Sequence, residues 1–105
     1  MPTDTELIAA VAKLKGWTQK GAIPSWYDPE GNCTYSLPSW LNSIDACLAL
    51  LDKPWAMQQF SDGNVFFTIY EGNKTWEVIE DMEPGMSQVQ VRCRAILLAL
   101  LEVGE

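Results

Sequence analysis

Two arginines, three flat aromatic rings and one amide are the residues of this chain best suited to holding a ligand. Arg92 and Arg94 fall in the first turns of an expected C-terminal helix. There the guanidinium fork and the positive end of the helix dipole both suit an anion. Two positions apart, they do not share one helical face, so both serve one ligand only if loops or subunits converge on them. Trp26, Tyr27 and Trp40 offer faces for stacking, and Asn42 a hydrogen-bonding amide. Each has a plainer alternative: ion pairing of the arginines with Glu80, Asp81 or Glu83, core packing of Trp40, and pinning of a loop by Trp26 and Tyr27.

Other chemistries find little support. The chain has no histidine, which removes the commonest general base and zinc ligand. Its three cysteines, Cys33, Cys47 and Cys93, form no C-x-x-C pair. Cys47 and Cys93 sit on apolar helical faces and read as small buried hydrophobes, which fits a reduced compartment. The seven glycines are scattered rather than gathered into a phosphate loop. Asp28 with Glu30, and Asp81 with Glu83, are the carboxylate pairs nearest to an acid–base dyad. Both lie at Pro/Gly turns expected to be wet, whereas dyads need environments that separate their pKa values. The expectation is a protein without enzymatic activity, cofactor or metal.

At 105 residues the sequence is expected to form one domain spanning 1–105. Apolar residues make up 48% of it, enough for a core. The net charge of −7 argues against DNA, RNA or an anionic membrane as the main partner. No long apolar run suggests a signal peptide or a membrane span, so a cytoplasmic location is expected.

The elements that must position the candidates follow from pattern. Thr3-Asp4-Thr5-Glu6 reads as a capping box, Leu7, Ile8, Val11 and Leu14 as an apolar stripe, and Gly16 as the stop. Thr18–Leu37 reads as a long aperiodic connection with a turn at Asp28-Pro29-Glu30-Gly31. Within Tyr35–Asp52, Pro38 suits a first helical turn after Ser36 or Leu37, or a loop before a cap at Ser39 or Asn42. Ile44, Cys47, Leu48 and Leu51 then share a face, and Pro54 stops the helix beyond Lys53. Three strands are expected at Trp55–Phe60, Val65–Glu71 and Thr75–Glu80, joined by turns at 61–64 and 71–74 into an antiparallel meander. Val65, Phe67 and Ile69 should face one way, and Phe66, Thr68 and Tyr70 the other.

A last helix is expected from Ser87 to Val103, with Val89, Cys93, Ile96, Leu97, Leu100 and Val103 on one side. Its segment Ala95–Leu101 is apolar all round, so it should be buried on more than one side. The fold class is therefore α+β: a three-stranded antiparallel meander packed by N-terminal, central and C-terminal helices, an α-β-α sandwich completed by a homodimer or higher homo-oligomer.

Three segments, in this order, resemble the phage ABA-sandwich domain family. They are Thr3–Trp17, with its closing Gly-Trp; Pro38–Ala46, with an aromatic after the proline and Ile-Asp-Ala at its end; and Ser87–Leu101, with Arg92-Cys93-Arg94-Ala95. The chain departs from the pattern at Cys47 and Leu48, where an acidic residue often follows, and lacks an aromatic closing the last helix. The resemblance implies a phage or prophage origin and no enzyme activity. A fainter likeness to anti-Thoeris sponge proteins implies sequestration, without cleavage, of a cyclic ADP-ribose-type or cyclic-nucleotide immune signal. Such a ligand would use stacking faces and cationic forks, for which Trp40, Trp26, Tyr27, Asn42, Arg92 and Arg94 are the candidates. The alternative is an acidic interaction module that binds a host protein, with Glu77, Glu80, Asp81 and Glu83 clustered at the end of the third strand.

Overall fold

The computed structural model describes residues 3–20, 25–34 and 40–104. The chain divides into two compact units, Met1–Pro38 and Ser39–Glu105.

In the first unit, helix α1 spans Asp4–Leu14. The Thr3 hydroxyl accepts the Glu6 N–H at 3.2 Å and donates to the Glu6 carboxylate at 3.1 Å, so the expected cap forms, with the acid closing on the hydroxyl. Gly16, at φ +90°, ends the helix. Its N–H donates to Lys13 O and that of Trp17 to Ala12 O, a bond pattern that satisfies the last carbonyls. The buried stripe is Leu7, Val11 and Ala12, whereas Leu14 is 40% exposed. The apolar face therefore lies one residue round from the expected one.

The stretch read as an aperiodic connection folds instead into a small antiparallel sheet. Its strands are β1 (Thr18–Lys20), β2 (Ser25–Tyr27) and β3 (Cys33–Thr34), in the order β1-β2-β3. The β2–β3 turn is the expected one at Asp28–Gly31, with Gly31 at φ +92°. Asp28 organises it. Its Oδ1 accepts the N–H groups of Glu30 (3.0 Å) and Asn32 (2.8 Å), and its Oδ2 the Asn32 amide (3.2 Å). The Asn32 N–H foremost, with the other turn donors, holds the Asp28 carboxyl below its ordinary value against the opposing effect of desolvation. A carboxyl whose folded pKa is depressed stabilises above its unfolded pKa, and that contribution is lost as pH falls through the folded value. The amide resonances of Glu30 and Asn32 should therefore titrate with a midpoint below that of an unstructured aspartate. A midpoint at or above it would contradict the bonding.

The second unit opens with one turn of 3-10 helix, Trp40–Asn42, then α2 (Ile44–Leu48). The first-turn reading of Pro38 and the cap at Ser39 fall outside the described residues. The other proposed cap, Asn42, is displaced by Ser43, whose Oγ accepts the Ala46 N–H at 3.2 Å. The helix is also shorter than expected. It ends five residues before Lys53, and only Cys47 of its apolar face is fully buried.

The meander forms as read, with β4 (Trp55–Gln59), β5 (Val65–Glu71) and β6 (Lys74–Glu80) antiparallel in the order β4-β5-β6. Gly63 (φ +91°) and Gly72 (φ +59°) make its turns. Gly63 is required twice over, because a Cβ there would also meet the Met82 side chain at 3.0 Å. Asn64 accepts the Met82 N–H at 2.8 Å and ties that turn to the end of β6.

Helix α3, Gln88–Gly104, starts with a reciprocal capping box. The Gln90 N–H donates to Ser87 Oγ at 3.1 Å and the Ser87 N–H to Gln90 Oε1 at 3.0 Å. Its buried face is Val91 and the unbroken run Cys93–Leu97, then Ala99 and Leu100, while Val89 is exposed. The helix packs on β5 and β6 with one side and on the 3-10 turn and α2 with another. The second covering surface that the sequence assigned to another subunit is thus supplied in part by this chain. The chain is α+β with two three-stranded antiparallel sheets rather than the single sheet expected. No helix among the described residues is long and apolar enough to cross a membrane.

Candidate functional site

Alternation along β5 decides what each face of the second sheet offers. Val65, Phe67 and Ile69 point inward and are 0–1% exposed. Phe67 stacks on Trp55 with ring centroids 5.8 Å apart. Phe66, Thr68 and Tyr70 point the other way, as the sequence indicated. With Ala56, Met57 and Gln58 they line an open groove of about 430 Å³. Register places Glu77 and Ile79 of β6 on the same outer face, opposite Thr68 and Phe66. Tyr70 is 42% and Ile79 65% exposed. The groove has the size of a small-molecule pocket, yet no charged side chain lines it. None of the ligand-contact candidates expected from the sequence lies on these strands. The signal was present in the alternation of β5 and in Ile79, an aliphatic residue that register places on the same face.

The two arginines diverge, as their spacing requires. Arg94 reaches toward β6, where its Nε lies 3.2 Å from Glu80 Oε1, and both side chains are buried. It is a structural ion pair, the alternative the sequence left open. Arg92 reaches the opposite edge of the sheet. It is half-buried and donates through Nε and Nη2 to Gln59 Oε1, a neutral acceptor. No carboxylate among the described residues pairs with it. Gln59 in turn donates to Gly63 O at 3.3 Å, so the guanidinium is braced against the β4–β5 turn.

The aromatic candidates are mostly internal. Trp40 is 4% exposed, in the 3-10 turn that packs on α3, and its carbonyl accepts the Cys47 thiol at 2.7 Å. Trp26 is 8% exposed in β2, within the first unit. Tyr27 is half-buried beside it, and Asn42 is exposed. Burial of the two tryptophan rings leaves little face for a base. Cys47 and Cys93 are both fully buried, whereas Cys33 is exposed. A hydrogen bond with Cys93, then burial, push the Cys47 thiol far above its usual range, so it stays protonated. Of the carboxylate pairs, Glu30, Asp81 and Glu83 are exposed and Asp28 is engaged by its own turn. No group of three His, Cys, Asp or Glu able to hold a metal occurs among the described residues.

Fold and site together define a small mixed α+β chain with an open, largely apolar groove on one face of a three-stranded sheet. A scan against protein-family models finds no match. Searches of curated proteins and of solved structures find none either.

Proposed function

We propose that the chain is a non-catalytic binding protein that docks a protein partner on the outer face of β4–β6. The observation that carries this reading is the exposure of Tyr70 and Ile79 around a groove lined by no charged group. Exposed apolar side chains grouped on one face favour association, because covering them releases ordered water. Glu77, exposed and set opposite Thr68, adds an acidic group at this face, on a chain of net charge −7. The complementary partner has an apolar or aromatic centre and lysine or arginine at its rim. The likeness to phage ABA-sandwich domains supports an α-β-α sandwich arrangement and a phage accessory protein acting in the host cytoplasm.

A second reading, capture of a cyclic ADP-ribose-type or cyclic-nucleotide immune signal, is favoured by Arg92. Its guanidinium is held by a neutral amide in the first turns of α3, where the helix dipole also attracts an anion.

One experiment separates the two. The chain is immobilised as wild type, as Tyr70→Ser/Ile79→Ser and as Arg92→Ala, and exposed to bacterial host extract. Under the first reading wild type and R92A retain the same stoichiometric protein, the double variant loses it, and retention falls with salt. If that protein stays on the double variant, the outer face is not the docking surface. In parallel, a nucleotide panel that raises the melting temperature of wild type and not of R92A would replace the first reading by the second. A ligand at one hundred times its Kd stabilises by about 2.7 kcal/mol, a shift readily measured.

A further inference from the structure

The backbone of β4 points to a second contact surface, distinct from the sheet's outer face. Tyr70 N–H donates to Pro54 O, and Phe60 N–H to Asn64 O, both at 2.9 Å. Bonded and non-bonded pairs alternate in an antiparallel ladder. With Trp55 opposite Ile69 and Gln59 opposite Val65, the bonded pairs are Ala56–Thr68 and Gln58–Phe66. The N–H and C=O groups of Trp55, Met57 and Gln59 therefore point away from β5, along an edge that no strand among the described residues occupies.

Soluble proteins usually guard such an edge with a lysine, a bulge or a proline within the strand. β4 itself has none of these: it reads Trp-Ala-Met-Gln-Gln and carries no charge, and Pro54 just before it bonds towards β5 rather than lying along the free edge. The other edge strand, β6, is charged, carrying Lys74, Glu77 and Glu80. By the same alternation Thr75, Glu77 and Ile79 of β6 point outward. A second copy pairing there about Glu77 would set Glu77 against itself, and about Ile79 would set Glu77 against Asp81. Like charges directly opposite destabilise a ladder, and a chain of charge −7 already repels its copies.

We infer that two copies of this chain pair antiparallel through β4, centred on Met57, into one continuous six-stranded sheet. This register sets Met57 opposite Met57, Trp55 opposite Gln59 and Ala56 opposite Gln58 of the second copy, with no like charges facing. The outward-pointing groups of Trp55, Met57 and Gln59 then fall at bonded positions in both copies. Ala56 and Gln58 line the outer groove. They also form the close, non-bonded pairs of the new ladder, so the two grooves meet across the two-fold axis.

Sedimentation velocity tests this on three forms. Wild type should sediment as a dimer that dissociates on dilution. Ala56→Lys/Gln58→Lys sets lysine against lysine at both non-bonded pairs and should sediment as a monomer. Ala56→Lys/Gln58→Glu sets lysine against glutamate in the same pairs and should restore the dimer. Ala56 and Gln58 are both exposed, so the variants should fold, which circular dichroism verifies. A wild type that is monomeric at every concentration overturns the proposal. So does a lysine–lysine form that dimerises like wild type, or a lysine–glutamate form that remains monomeric while folded. None of these outcomes bears on whether the outer face docks another protein.

Discussion

Arg94→Ala should lower stability by about 3–5 kcal/mol, because it leaves the Glu80 carboxylate buried without its cation. The side chains of Arg94 and Glu80 are only 9% and 5% exposed, so water cannot take the place of the lost partner. A domain of this size is stable by roughly 5–15 kcal/mol, so the loss is a large share of the whole. Replacing both partners by apolar residues, Arg94→Met with Glu80→Leu, should recover most of it, since desolvation of two charges nearly cancels their attraction. Urea titration of the single and double variants measures this. A single variant within about 0.5 kcal/mol of wild type, the range of ordinary surface changes, would mean the pair is wet. The consequence for function is direct. Loss of any ligand on Arg94→Ala would report unfolding, and only Arg92 can be removed cleanly.

Phe67→Ala should cost a similar amount, about 3–5 kcal/mol, through lost transfer energy and the cavity left behind. Phe67 is fully buried in the central strand, and its ring stacks on Trp55. Two positions of the same sheet should thus respond unequally. Ile79, 65% exposed, should tolerate alanine within about 0.5 kcal/mol. The comparison is read as the shift of the urea midpoint at unchanged slope. Equal costs at Phe67 and Ile79 would contradict the assignment of inner and outer faces.

The second sheet was legible in the sequence because its strands are long enough to alternate and its turns carry Gly63 and Gly72 at positive φ. The first sheet was not. Strands of three, three and two residues show no period, and the Asp28–Gly31 turn was read without the pairing it closes. Trp40 and Arg94 show the limit of reading residue types. A tryptophan and an arginine look equally available in a loop or a first helical turn. Burial of one ring against α3, and a partner fourteen residues upstream for the other, are properties of the packed chain. Arg92 differs because its neighbour across the sheet is an amide rather than a carboxylate. The apolar run 95–101 correctly implied burial on several sides, but pattern alone could not say that α2 and the 3-10 turn would cover part of it.

The central claim is that recognition belongs to the outer face of β4–β6 while the buried arginine and tryptophan build the fold. Heteronuclear spectra of the labelled full chain, recorded with and without the captured protein, test it most directly. The Ile79 methyl and the Tyr70 and Phe66 ring signals should move on binding, with the Arg92 Nε–H signal unchanged. A complex that shifts Arg92 and leaves Ile79 and Tyr70 in place would contradict it.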